Sequence, residues 1–131
     1  MKSGLTVGHT LEIIIDVTPD MHASFEGEMV HPVYSTVQMV YHMEWVSRQI
    51  ILPFLNEEEE GMGAELKVMH RSPARTGTRL SITATVTRMN EKGIWTEIMI
   101  RRKETDSIVG EGEVRQVVLP KQTIAERIGT D

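Results

Sequence analysis

Three polar side chains stand in otherwise apolar stretches of this sequence and have the residue types that could do chemistry. Thr36, Glu44 and His70 supply a hydroxyl, a carboxylate and an imidazole. These groups are the parts of a nucleophile, an orienting acid and a base, and the same set could activate a water molecule. Because burying such groups without partners is unfavourable, their apolar surroundings mark them as a candidate site.

Each of the three also has a purely structural interpretation. Thr36 could be an ordinary helix cap, and His70 could be a core histidine with a satisfied hydrogen bond. Glu44 could point to solvent or pair with Arg48 one helical turn later. Eight helical residues separate Thr36 from Glu44, which is about 12 Å at the rise of an α-helix. Both can therefore meet one reacting centre only through a bend at the helix start or across a dimer interface.

One long helix must carry two of the three candidates. Between residues 33 and 55, apolar side chains recur at three- and four-residue steps and spread over almost the whole surface. This pattern is typical of a buried helix. Ser35 or Thr36 can cap its start, and Pro53 marks its end. The charged residues within the segment argue against a membrane span.

The rest of the sequence is mainly patterned as strands. Alternation of apolar and polar residues predicts five of them, at 11–17, 64–71, 80–86, 94–100 and 108–119. His70 falls on the apolar side of the second strand. Gly110 and Gly112 lie on the apolar face of the fifth, where two glycines weaken a strand unless something approaches closely. The long helix is the candidate for that close approach.

Three segments are predicted to lie outside these elements. Residues 18–32 show no sustained periodicity and are predicted to form a long connection before the helix. The acidic run at 57–60 is predicted to lie in a solvated loop, because it would oppose the helix dipole. Residues 120–131 are predicted to form a polar, loosely ordered tail. The whole pattern predicts an α+β fold with one helix on one face of an antiparallel sheet.

Length and composition limit the function classes. The 131 residues fit a single domain, 1–131, with one core, and the absence of cysteine excludes disulfides, thiolate metal sites and a cysteine nucleophile. A net charge of −5 without a clustered basic segment argues against nucleic acid as a partner. The N-terminus lacks an apolar run of signal-peptide length, so we expect a cytoplasmic protein. The other histidines show no metal-ligand spacing, and we expect no metal.

The sequence resembles the fluoroacetyl-CoA thioesterase-like family of hotdog-fold acyl-CoA thioesterases. The resemblance covers nearly the whole chain and is carried by residues 1–8, 33–36, 39–40, 43–45 and 53–55, by Gly63 before His70, and by Gly110-x-Gly112. It implies a hotdog fold, in which a five-stranded antiparallel sheet wraps one long helix, together with a homodimer and hydrolysis of an acyl-CoA thioester. In that family a threonine, a glutamate and a histidine form the catalytic set. They match Thr36, Glu44 and His70 at the family's intervals.

The resemblance also implies how the substrate is held. Coenzyme A enters as part of the substrate, and no separate cofactor is expected. Its phosphates should lie near basic residues on or beside the second strand, where the candidates are Lys67, Arg71, Arg75 and Arg79. Of these, Arg71 and Arg75 are the predicted substrate-binding residues, together with Gly63.

Two departures from the family bear on the acyl group. Residues 26–32 lack the phenylalanines with which the fluoroacetyl-specific member reads its substrate. Residues 113–116 lack the histidine that precedes the arginine in that member. We therefore expect a small or medium acyl group, or a broader range, rather than selectivity for fluoroacetate.

The mechanism suggested by these residues begins with His70 taking a proton from Thr36 or from water. Glu44 orients His70 and balances its charge, and attack on the thioester carbonyl releases CoA. Backbone N–H groups at the helix start or near Gly63 would stabilise the oxyanion. Two other functions remain open at this point, a hotdog hydratase or dehydratase and a non-catalytic acyl-CoA-binding module.

Overall fold

The computed structural model describes residues 1–129 and shows a five-stranded antiparallel sheet packed around one long helix. The elements, in chain order, are β1 (Thr10–Asp16), a 3-10 turn (Pro19–Met21), β2 (His22–Phe25), β3 (Glu28–Tyr34), α1 (Thr36–Ile51), a second 3-10 turn (Leu52–Phe54), β4 (Glu59–His70), β5 (Arg79–Asn90), β6 (Gly93–Arg102), β7 (Ile108–Pro120) and α2 (Lys121–Ile128). The large sheet has the strand order β1-β5-β6-β7-β4, and β2 and β3 form a separate hairpin. This is the expected α+β hotdog fold.

The core lies between α1 and one face of the large sheet. Met39, Met43 and Val46 of α1 are completely buried. They face the inward rows of the strands, which alternate as the sequence predicts, with Leu80 and Ile82 of β5 also completely buried. Within residues 1–129, neither helix is long and apolar enough to cross a membrane.

The start of α1 is fixed by a side-chain cap. Ser35 is the N-cap, and its Oγ accepts a hydrogen bond from the backbone N–H of Gln38 at 3.0 Å. Thr36 is therefore the first helical residue, and its hydroxyl is not used for capping. The α-helix ends at Ile51, and the following 3-10 turn contains Pro53, which has no N–H to continue the helical hydrogen bonds.

The two glycines of β7 are places where α1 packs tightly against the sheet. A Cβ atom on Gly110 would lie 2.5 Å from the sulfur of Met39, and one on Gly112 would lie 2.8 Å from the sulfur of Met43. Real Cβ atoms do not approach other atoms this closely. The prediction that these glycines make room for the helix is confirmed.

The prediction that residues 18–32 form one long loop before the helix was wrong. The segment contains a 3-10 turn and most of the β2–β3 hairpin, which reverses at Glu26 and Gly27, both with positive φ. The hairpin carries exposed apolar side chains, among them Phe25 and Met29. Because residues 24–32 are exposed on both faces of the hairpin, this part of the sequence lacks the alternation by which a strand is recognised.

Two further boundaries differ from the sequence-based prediction. Glu59 and Glu60 are the first residues of β4 rather than part of a solvated loop, because the N-terminal amino group contacts Glu59 at 2.9 Å and Arg48 contacts Glu60 at 2.6 Å. The segment after residue 120 is not a loose tail but forms α2, and Thr130 and Asp131 lie outside the described residues. The N–H of Lys121 holds α2 to the chain by donating to the carbonyl of Glu58 at 2.7 Å.

Gly112→Ala should lower the free energy of unfolding by about 2 kcal/mol, as overpacked cores do. The added methyl group would collide with the carbonyl oxygen of Lys67 and the sulfur of Met43. Chemical denaturation followed by circular dichroism measures the loss. Gly63→Ala is the matched control and should be milder, because its methyl group would meet only the end of the Glu44 side chain. Equal losses in both variants would contradict this account.

Candidate active site

Thr36 and His70 meet at one end of the fold. Thr36 is the first residue of α1, and His70 is the last residue of β4. Thr36 Oγ1 lies 2.9 Å from Nδ1 of His70, which is hydrogen-bond distance. The structural interpretation of Thr36 as the helix cap was wrong, because Ser35 takes that role and leaves the Thr36 hydroxyl free for the histidine.

The surroundings of His70 favour the neutral imidazole. The side chain is half-buried, and burial lowers its pKa, an effect that the backbone of Ser72 opposes in part. If Nδ1 is to accept the proton of the Thr36 hydroxyl, the ring proton must sit on Nε2. That Nε2 atom is buried and has no hydrogen-bond partner among residues 1–129. The described residues of the chain therefore supply no acceptor for an N–H at Nε2 of His70.

Glu44 lies elsewhere on α1, beside Gly63 of β4. Its Oε1 lies 2.6 Å from where a Cβ atom of Gly63 would be. Glu44 is exposed, as one of its two structural interpretations predicts, whereas the other, a pair with Arg48, was wrong because Arg48 bonds Glu60. Seven residues of strand separate Gly63 from His70, which is about 23 Å at the rise of a β-strand. One chain therefore brings Thr36 and His70 together but leaves Glu44 and Gly63 apart from them.

A buried tyrosine, Tyr34, packs against His70 and is hydrogen-bonded to a buried histidine, His42. The Tyr34 hydroxyl and Nδ1 of His42 form a hydrogen bond of 2.6 Å, and the edge contact between the rings of Tyr34 and His70 has a centroid distance of 6.3 Å. Burial raises the pKa of the Tyr34 phenol and lowers the pKa of His42. Both groups are therefore neutral near pH 7, and the hydrogen bond joins a phenol to an uncharged imidazole. In the sequence, the sign of this pair is a histidine, His42, on a largely apolar helix.

The predicted phosphate-binding residues lie in different places. Arg71 is on the sheet face away from α1, where it pairs with Glu111 at 2.8 Å. Lys67 lies beside the acidic residues Glu97 and Glu113. Arg75 instead lines a cavity of about 1100 Å³ next to the start of α1. Within residues 1–129, no three histidine or acidic side chains come together as a metal ion would require.

Comparison with known proteins identifies the family. The family model described as FlK, fluoroacetyl-CoA-specific thioesterase, matches residues 17–122. The chain belongs to this family. The predicted family, and with it the prediction of a thioester hydrolase, is confirmed. No curated protein matches the chain.

Solved structures place this thioesterase among hotdog proteins. A thioesterase superfamily member from Thermus thermophilus is 35% identical, with a TM-score of 0.89 over 96% of this chain and 91% of that one. The fluoroacetyl-CoA thioesterase FlK is 21% identical, with a TM-score of 0.85 over 98% of this chain and 100% of that one. A hot-dog-like protein from Thermanaerovibrio acidaminovorans is 19% identical, with a TM-score of 0.85 over 93% and 89%.

Burial of His42 and His70 as neutral side chains predicts that acid destabilises this thioesterase. Burial lowers the pKa of both in the folded state, so the unfolded chain binds more protons once the pH falls below about 6.5. The free energy of unfolding should therefore be fully present above that pH and fall between pH 6.5 and 5. Thermal unfolding from pH 8 to pH 5 measures this slope.

His42→Leu is the test variant for this slope, since it removes one of the two buried imidazoles. It should reduce the loss of melting temperature between pH 6.5 and 5. His31→Gln, in the exposed β3 strand, is the matched control and should leave the slope unchanged. A slope that is the same in His42→Leu and the wild type would rule out His42 as a source.

Proposed function

We propose that this thioesterase hydrolyses small or medium acyl-CoA thioesters, with His70 as the general base and Thr36, or a water that it holds, as the attacking group. The contact of 2.9 Å between Thr36 Oγ1 and His70 Nδ1 carries the proposal. A base must lie within hydrogen-bond reach of the proton that it removes. Because burial lowers the pKa of His70, its imidazole is free to accept that proton near neutral pH.

In the proposed reaction, the proton of the attacking hydroxyl moves to Nδ1 of His70 as the oxygen bonds to the thioester carbonyl carbon. The carbonyl electron pair moves to oxygen, and the first N–H groups of α1 stabilise this oxyanion. Its collapse breaks the C–S bond, and the imidazolium returns the proton to the CoA thiolate. If Thr36 attacks, water then hydrolyses the acyl-threonine with the same base. If water attacks, the free acid forms directly.

The acyl-CoA class is supported by the relatives. Structures of FlK variants contain fluoroacetate with CoA, or acetyl-CoA. We do not extend fluoroacetyl selectivity to this chain, because residues 26–32 lack the phenylalanines expected for it and present Met29 and Val30 instead. A cytoplasmic location and the absence of any cofactor beyond CoA stay predictions.

We further propose that two copies pair through β4 and that Glu44 acts on the partner's His70. β4 is an edge strand with β7 on one side only, so its other edge presents unpaired backbone groups. An antiparallel two-fold pairing centred between Leu66 and Lys67 places Gly63 opposite the partner's His70. Since Glu44 lies beside Gly63, its carboxylate then reaches the end of the site where Nε2 lacks an acceptor.

The exposed face of α1 supports this pairing. Val37 and Tyr41 have exposed fractions of 65% and 60%, and Glu44 follows them on the same face at the next helical step. Apolar side chains that are exposed side by side are typical of an interface. A partner seated along β4 and α1 would cover Val37 and Tyr41 and would bring the two copies of Glu44 inside the assembly.

Release of CoA thiol from acyl-CoAs of increasing length, with fluoroacetyl-CoA included, tests the proposed reaction. Thr36→Ala and His70→Ala should each lower kcat by at least about 100-fold, because each removes a partner of the proton transfer. His31→Ala, a histidine on the exposed hairpin, should keep full activity. Binding of acyl-CoA without any thiol release would indicate a binding module. Hydration of an enoyl-CoA without thiol release would indicate a hydratase.

Mixing two inactive variants tests whether Glu44 acts across the dimer. Chains with Glu44→Gln and chains with His70→Ala should each be nearly inactive alone. After they are unfolded and refolded together, about a quarter of the wild-type activity should return, because half of the dimers are mixed and each mixed dimer has one intact site.

A chain that carries both substitutions, refolded with wild type, is the control for this complementation. Its mixed dimers contain no intact site if Glu44 acts on the partner, and one intact site if Glu44 acts within its own chain. Failure of the two single variants to recover activity, although mixed dimers are isolated through two different tags, would refute the shared site.

A further inference from the structure

One buried tyrosine touches both of the elements that bring the candidate pair together. Tyr34 is the last residue of β3 and is completely buried. Its ring makes an edge contact with the imidazole of His70, at the end of β4, with an interplanar angle of 71°. Its hydroxyl is hydrogen-bonded to Nδ1 of His42, within α1. Tyr34 therefore joins the strand end that carries the base to the helix that begins with Thr36.

The ring of Tyr34 is itself held in place. The N–H of Tyr34 donates to the carbonyl of Ala74 at 2.8 Å, and its backbone pairs with His22 of β2. Its ring also lies parallel to that of His42, with 12° between the planes and 5.7 Å between the centroids. Turning the ring away would break the buried hydrogen bond to His42, and a buried polar group without a partner is unfavourable.

The imidazole of His70 needs such a neighbour because its own contacts do not fix its orientation. Nδ1 lies 2.9 Å from Thr36 Oγ1, whereas Nε2 has no hydrogen-bond partner among residues 1–129. The torsion about the bond between Cβ and the ring is broad in histidine, so one hydrogen bond leaves the ring free to turn. A second ring packed beside it restricts this rotation, and proton transfer requires Nδ1 to stay within reach of the hydroxyl.

The groups of the chain that face His70 are uncharged near neutral pH. They come from β3, α1, the segment after β4 and β7, and are Tyr34, Thr36, the backbone of Ser72 and Gly110. Burial is the largest cause of the lowered pKa of His70, and burial also keeps the Tyr34 phenol protonated by raising its pKa. The ring of Tyr34 thus contributes to excluding water from the imidazole.

We propose that Tyr34 is a positioning residue for the reaction, whose ring, held by the hydrogen bond to His42, keeps Nδ1 of His70 turned toward Thr36. Tyr34 acts on the reacting atoms only through His70. This assignment rests on the proposed role of His70 as the general base. It gives the buried pair of Tyr34 and His42 a role in the reaction in addition to its role in packing.

Substitutions that separate the ring of Tyr34 from its hydroxyl test this role. Tyr34→Leu removes the ring and should lower kcat at least about tenfold, because a small displacement of a catalytic group is costly. The KM for an acyl-CoA should change less than about twofold, because Tyr34 does not touch the substrate. Tyr34→Phe combined with His42→Leu keeps the ring and replaces both hydrogen-bonding groups by apolar ones, so it should recover most of the lost kcat.

Val86→Ala is the control for a general loss of stability. Val86 of β5 is completely buried, so its truncation should lower the melting temperature, but it lies away from the end of the fold that holds His70 and should leave kcat unchanged. A kcat loss in Val86→Ala equal to that in Tyr34→Leu would overturn the positioning role. So would a double variant that is as inactive as Tyr34→Leu.

Titration of His70 makes the test independent of turnover. Its ring-proton signal in the NMR spectrum, assigned by its loss in His70→Ala, reports the pKa of His70. Tyr34→Leu should raise this pKa toward the ordinary value of about 6.5, because water then reaches the imidazole, and the double variant should not. An unchanged pKa in Tyr34→Leu would overturn the role of the ring. The expected rise, found together with no hydrolysis of any acyl-CoA, would support the action of Tyr34 on His70 and overturn only the proposed reaction.

Discussion

The close packing of α1 against β7 is the contact on which the rest of the structure depends. Met39 and Met43 occupy space that any side chain at Gly110 or Gly112 would fill. Side chains three and four residues apart share one helix face, so these two methionines fix the rotation of α1 about its axis. That rotation directs Thr36 toward the end of β4 and Glu44 toward Gly63. The packing of two methionines thus sets the geometry of the candidate active site.

Desolvation shapes the chemistry of His70. The buried ring of Tyr34 packs against that of His70, and the hydrogen bond between Tyr34 and the buried His42 satisfies polar atoms that burial would otherwise penalise. The same burial keeps His70 neutral but leaves its Nε2 without a partner in the described chain. An unpaired donor of this kind destabilises a single chain, and a carboxylate from a second copy would remove the penalty. In the proposed assembly, stability and catalysis therefore depend on the same contact.

Most of the fold follows from periodicity. The five strands of the large sheet and the helix were predicted because each buries one face or nearly its whole surface, and burial leaves a period of two or of about 3.6 in the sequence. The β2–β3 hairpin was missed because residues 24–32 of a single chain are exposed on both of its faces. The start of β4 was missed because its glutamates are compensated by Arg48 and by the N-terminal amino group, and neither partner is near them in sequence.

The sequence by itself determined which residues were candidates, since Thr36, Glu44 and His70 are polar groups in apolar surroundings. Only the tertiary structure decided that Thr36 and His70 form a pair while Glu44 lies at Gly63. It also decided that Arg75 lines a cavity near the start of α1 whereas Arg71 pairs with Glu111 on the far sheet face. These outcomes depend on which strand ends meet the start of α1. That choice is made by the strand order of the sheet, and a nonlocal order leaves no period in the sequence.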